Sequence, residues 1–175
     1  MRILGVDPGL TRCGLGVIDV DSRRQATFVG VHVLRTPADQ PLAHRLVSLE
    51  AQMFELMEHY APDAVALERV FSQQNVRTAM GTAQARAVAM LIATKRGFAV
   101  HMSTPTAVKA AVTGSGRADK NQITMMVTRL LKLSEAPKPA DAADSLALAL
   151  CHAWKGAGQS RINTQASLLK AGSRA

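Results

Sequence analysis

The chain is 175 residues long, 47% apolar, with 21 Lys and Arg against 13 Asp and Glu and a formal net charge of +8. That length suits one good core and is short for two, and no apolar run approaches the roughly 20 residues that span a membrane. Two cysteines, Cys13 and Cys151, make no disulfide framework, so a reducing cytoplasm is expected, and a basic globular chain without a basic amphipathic helix points to nucleic acid ahead of a membrane surface.

Ile3, Leu4 and Val6 form a short branched run that suits a buried strand. Asp7 closes it. Pro8-Gly9 then turns the chain and interrupts any signal-peptide layout, and Gly14 to Ile18 reads as the returning strand of a hairpin. A carboxylate ending a buried strand must be paired or bound to a metal, although alone Asp7 reads equally well as a solvated turn residue. Ala26 to Leu34 is a third strand, with Phe28, Gly30, His32 and Leu34 expected on one face and Val29, Val31 and Val33 on the other. Thr36 to Pro41 is loop. Leu42, Leu46, Leu49, Met53, Leu56 or Met57, and Tyr60 recur at helical spacing and predict an amphipathic helix, broken by Ala61-Pro62-Asp63. Ala64 to Leu67 is a short buried strand closed by Glu68, so a second carboxylate ends a second strand.

A polar loop, Arg69 to Asn75, carries one aromatic, Phe71. A long helix is predicted from about Val76 to Lys95. Its buried side is expected to hold Ala79, Ala83 and Ala87 with Met80, Met90 and Leu91, small enough to pack on the sheet or on a partner subunit. Gly97 ends it, and Phe98 to Met102 is a fifth strand. Thr106 to Thr113 reads as helix, Gly114 to Lys120 as a flexible basic loop, Gln122 to Leu131 as helix, and Ser134 to Pro139 as a linker that Pro137 and Pro139 keep out of either helix. The last helix starts near Ala140 or Asp141 and runs to about Trp154. Asp141 and Asp144 share a face near its start. They could simply complement the helix dipole, or Asp141 could cap it. Yet Ala142, Ala143, Leu146, Ala147, Leu148 and Ala149 make the helix apolar nearly all round, which leaves Asp144 little room as a solvated charge. Beyond Gly156 the composition turns to Gly, Ser, Gln, Asn, Lys and Arg. The division is therefore a folded unit over residues 1–155 and a mobile basic tail over 156–175. Phe28, Phe54 and Phe98 are expected in the core, His152 is read as structural, and the cysteines as small buried hydrophobes.

Strands one and four can be neighbours in an open α/β sheet, where sites form at the carboxyl ends. Asp7, Glu68, Asp141 and Asp144 converging there would repel and need cations, and hard oxygen donors favour Mg²⁺ or Mn²⁺. Two such ions about 3.5–4 Å apart bracket the attacking and leaving oxygens of a phosphodiester, and the basic charge elsewhere supplies affinity for its backbone.

The opening stretch Arg2 to Ile18, Ala66-Leu67-Glu68-Arg69-Val70-Phe71, the Gly114 to Gln122 loop and Asp141-Ala142-Ala143-Asp144-Ser145-Leu146-Ala147 together resemble the crossover (Holliday) junction endodeoxyribonuclease RuvC family of bacteria. The resemblance covers roughly residues 1 to 155, with four motifs in register. It implies an α/β ribonuclease H-like fold, with a central five-stranded mixed sheet flanked by helices. It implies a homodimer that resolves four-way DNA junctions in recombination and repair by paired, symmetric nicks leaving 5′-phosphate ends. Carried over by motif, Asp7, Glu68, Asp141 and Asp144 are the catalytic, metal-binding carboxylates, for two Mg²⁺ per site with Mn²⁺ able to substitute. Some relatives carry His where this chain has Asp141. Phe71 matches a loop aromatic that stacks on a junction base, and Lys109 and Lys120 match basic residues near the scissile phosphate. The family works with the branch-migration proteins RuvA and RuvB, and no membrane is implied. Two rival readings stand beside this one. Asp7 to Gly14 also resembles the first phosphate loop of actin and sugar-kinase ATPases, which usually need a second phosphate loop and a second domain. The other rival is a non-catalytic junction-binding protein.

Overall fold

The computed structural model describes residues 1–69 and 76–154. Phe71 and the 156–175 tail lie outside the described residues. Strand β1 (Arg2–Asp7) pairs antiparallel with β2 (Arg12–Val20), and β2 pairs antiparallel with β3 (Ala26–Arg35). On its other edge β1 pairs parallel with β4 (Ala64–Glu68), which pairs parallel with β5 (Ala99–Ser103). The order β3-β2-β1-β4-β5 makes a five-stranded mixed sheet, with the two strands that end in carboxylates side by side at its centre.

Helices cover both faces. Helix α1 (Leu42–Tyr60) and α2 (Val76–Lys95) lie on one, α3 (Pro105–Thr113), α4 (Lys120–Leu130) and α5 (residues 140–154) on the other. Alternation along the strands decides which residues each layer receives. Leu4, Val6, Leu15, Val17, Val65 and Leu67 pack with Leu49, Met53 and Met57 of α1 and with Ala85, Ala89 and Ile92 of α2. Ile3, Ile18, Val20 and Ala66 pack with Val108, Ile123, Val127, Leu146 and Leu150. No helix among the described residues is long and apolar enough to cross a membrane.

Four local expectations are corrected. In β3 the register slips, so that Gly30 faces Val17 but Phe28 faces Ile18. Val29 is thus the extra residue of a bulge, which breaks strict alternation. Phe28 and Val31 share the α5 face, while Val29 and Leu34 face α1. On α2 the buried side is Ala85, Ala89, Ile92 and Ala93, not the predicted set. Met80, Met90 and Leu91 are exposed at 57%, 36% and 54%, and Ala87 is exposed with them. A helix with apolar residues around most of its circumference carries too weak a periodic signal to say which side is inside. Phe54 is exposed too, with Arg96 over its ring at 5.5 Å. Finally, α4 begins at Lys120 rather than Gln122, because Asp119 and Gln122 close a reciprocal capping box.

Candidate active site

Strand parity brings the carboxylates together. Ile3, Gly5 and Asp7 alternate onto the α5 face of β1, and Ala64, Ala66 and Glu68 onto the same face of β4. In the parallel ladder Val6 pairs with Leu67, so Asp7 and Glu68 follow one residue later, side by side.

Helix α5 then delivers Asp141 and Asp144 from above, and glycines set how closely. A Cβ on Gly14, the cross-strand partner of Asp7, would stand 2.1 Å from the Asp141 carbonyl oxygen. One on Gly5 would stand 2.0 Å from that of Ser145, and one on Gly16 would stand 2.7 Å from the Leu146 nitrogen. These three positions form a floor without side chains, on which the helix backbone rests. Ala142, Ala143, Ala147 and Ala149 on α5 are buried, as so close an approach requires.

The electrostatics follow from that crowding. Burial first, then Asp144, Glu68 and Asp141, push the Asp7 carboxyl up to about 7. Burial and then Asp144 also raise Glu68. Two cations neutralise the other pair. Arg12 Nε lies 3.1 Å from Asp141 Oδ2, and Lys120 Nζ lies 3.3 Å from Asp144 Oδ2. Asp144, Asp7 and Asp141 in turn hold Lys120 more firmly protonated. The thiol of Cys13, behind the hairpin, is pushed up to about 12 by burial, and acts as a small hydrophobe.

Of the sequence-predicted residues, the structure thus gathers Asp7, Glu68, Asp141, Asp144 and Lys120. Lys109 sits half-buried on α3 and enters none of the ion pairs among the described residues. Phe71 lies outside them. Sequence reading missed Arg12. Its signal was available, since it opens β2 beside the turn that follows Asp7. His152 stacks on His101 with centroids 4.1 Å apart, and burial lowers its pKa to about 4, in keeping with a structural role.

As the side chains stand, no three His, Cys, Asp or Glu among the described residues are grouped to hold a metal ion. The donor set nevertheless fits a hard divalent cation. It is all carboxylate oxygen, and beside the burial that raises Asp7 and Glu68 stands repulsion from neighbouring carboxylates, which added cations would relieve. Arg12 and Lys120 meet part of that demand.

The sequence matches the family model "Crossover junction endodeoxyribonuclease RuvC" over residues 3–152. It is 60% identical to a protein of that description from Streptomyces avermitilis, over 96% of both chains. The fold is similar to the solved Thermus thermophilus RuvC structure, with a TM-score of 0.83 at 33% identity, covering 91% of this chain and 97% of that one. It is equally similar to T. thermophilus RuvC in complex with a Holliday junction substrate, with a TM-score of 0.84 at 34% identity over 89% and 94%.

Proposed function

The chain belongs to the crossover junction endodeoxyribonuclease RuvC family, and from that premise we propose that Asp7, Glu68, Asp141 and Asp144 are its catalytic centre. The enzyme is a divalent-metal-dependent endonuclease that resolves four-way DNA junctions. The observation that carries the site assignment is the convergence of these four carboxylates on one face of the sheet, with Asp7 pushed up to about 7 by burial and then by its carboxylate neighbours. The match over residues 3–152 favours this reading over an ATPase or a non-catalytic binder, and no carboxylate of the set is missing.

In the proposed reaction all four carboxylates would hold Mg²⁺, with Mn²⁺ able to substitute. When bound, the metal lowers the pKa of water and stabilises charge on the phosphoryl oxygens. The chain's own residues do the rest. Asp7 and Glu68, fixed at adjacent strand ends, present oxygens to one side of the phosphodiester. Asp141 and Asp144 close the other side from a helix seated directly on Gly5, Gly14 and Gly16. Lys120, on the first turn of α4, stays protonated and faces the phosphate, and Lys109 on α3 is proposed to contact the same strand. Phe71 stacks on a base opened at the junction. Hydrolysis leaves 5′-phosphate ends.

The catalytic unit is residues 1–155, and the 156–175 tail adds basic charge. The working form is a homodimer, one active site for each of two opposed strands. Supporting this are the exposed Met80, Met90 and Leu91 of α2, which with Ala83 and Ala87 form an outward apolar face. RuvA and RuvB are the proposed partners.

The decisive experiment incubates the protein with a mobile four-way junction, with and without Mg²⁺, and maps nicks on all four strands. Paired symmetric nicks appearing only with metal are expected, and their absence overturns the reading. Phe71→Ala is expected to slow cleavage more than it weakens binding, within the about 1–3 kcal/mol of one stacked base. Unchanged nicking would remove Phe71 from the site.

A further inference from the structure

Arg45 is a buried cation without an anionic partner among the described residues. It lies in the first turn of α1 with only 9% of its surface exposed. Its Nε donates to Thr36 Oγ1 at 2.9 Å and its Nη2 to Thr11 Oγ1 at 2.8 Å. The Thr36 hydroxyl in turn donates a hydrogen bond to the Leu10 carbonyl. No carboxylate pairs with Arg45 among the described residues. A buried charge is normally paired, and a cation in a first helical turn opposes the helix dipole. Neither hydroxyl neutralises it, so the site as built favours an incoming negative charge.

The surroundings say where that charge comes from. Arg45 lines a cleft of about 800 Å³. The turn from Gly9 to Arg12 forms one wall, and the first turns of α1 and α2 supply Leu42 and Thr78. Neither helix has an acidic residue in its first turn, and the residue before α1, Pro41, offers no side-chain cap. The positive ends of two helix dipoles and two arginines therefore meet in one cleft. Asp141 lines the same cleft, bridged to it by Arg12. The cleft thus borders the proposed active site at Asp141.

We infer that this cleft is a second phosphate subsite, in which Arg45, held in place by Thr36 and Thr11, and Arg12 receive a backbone phosphate of the strand being cut, a phosphate other than the scissile one. This rests on the reading of the protein as a junction endonuclease. Arg45 sits away from the reacting atoms, so it is a positioning residue. It fixes where along the strand the carboxylates meet the backbone.

The test compares wild type, Arg45→Gln and Arg45→Lys on a synthetic four-way junction, with binding measured in EDTA across a salt series and nicking measured in Mg²⁺. Loss of one phosphate contact is expected to weaken binding about tenfold near 0.1 M salt and to lower the slope of log affinity against log salt by about 0.9 in Arg45→Gln. Arg45→Lys keeps the charge and is expected to keep the slope. A purely structural arginine would lower the melting temperature and leave the slope alone, which overturns the inference. If Arg45→Gln does not fold, the wild-type protein still decides. Single methylphosphonates placed along the nicked strand are expected to interfere at a second phosphate besides the scissile one. Interference confined to the scissile phosphate refutes the subsite. A protein that nicks normally but fails either comparison loses this inference alone, whereas one that neither binds nor nicks the junction loses the functional reading with it.

Discussion

On the sheet face covered by α1 and α2, Leu49, Met53 and Met57 reach towards Leu4, Leu15 and Val17, and side chains fill the space between layers. On the opposite face α5 sets its backbone almost directly on Gly5, Gly14 and Gly16. The first arrangement tolerates repacking, because Met and Leu can change rotamer to fill a gap. The second has no adjustable part, since a carbonyl oxygen has nowhere to retreat. The four carboxylates proposed as catalytic stand on the inflexible face, where Gly5, Gly14 and Gly16 leave no room for a side chain, whereas the filled face needs only apolar volume.

The contrast can be broken or sharpened by substitution. The largest effect is expected from Asp7→Asn, which should lower junction nicking more than about a hundredfold while leaving junction binding intact. Gel-shift and nicking assays run together check it, and full activity would remove Asp7 from the catalytic set. Next comes Gly5→Ala, which places a methyl 2.0 Å from the Ser145 carbonyl oxygen. It is expected to destabilise by about 3 kcal/mol or more in urea unfolding, with activity lost as α5 is displaced. A change under 1 kcal/mol, on the order of a surface substitution, would show that the floor can give.

Acidity gives a third, smaller effect. In the fold Asp7 keeps its proton up to about pH 7, against a reference value of 3.8. The folded chain binds the extra proton between those values, so this group's contribution falls as pH rises from about 4 to about 7 and is constant above. His152 acts oppositely. Its pKa drops from 6.5 to about 4, so its contribution is complete above 6.5 and is lost as pH falls towards 4. Subtracting the Asp7→Asn profile from that of the wild type, both in EDTA, isolates the first term. That difference is expected to fall by roughly one to a few kcal/mol across the window, and a flat difference would contradict the burial and crowding of this carboxyl. The smallest effect belongs to the other face. Met53→Leu should cost less than about 1.5 kcal/mol and leave nicking unchanged. If it proves as damaging as Gly5→Ala, the two faces do not differ in tolerance.

The elements and the carboxylate cluster were legible because they depend on local pattern. Branched runs ended by Asp7 and Glu68 announce strands, and a strand's two-residue period fixes the face on which each carboxylate lies. What escaped depends on partners distant in sequence. Arg45 reads as one more polar residue of α1 until Thr11 and Thr36 are found beneath it. Arg12 reads as a turn residue until α5 brings Asp141 over it. The bulge at Val29 needs the register of β2. On α2, apolar residues on both sides left the choice of inner face to the packing. The start of α4 is different, since Asp119 and Gln122 spell a capping box that could have been read directly.

The glycine floor also carries a consequence for the order in which the enzyme is made. Gly5 and Ser145, which touch, are separated by 140 positions in the chain, so their contact is among the last that synthesis allows. A growing chain holds Asp7 and Glu68 early, but Asp141 and Asp144 arrive only with α5. Until that helix is complete and docked, the nascent protein has half of the proposed catalytic centre. A DNA-cutting activity is thereby withheld until the fold that directs it to junctions is finished.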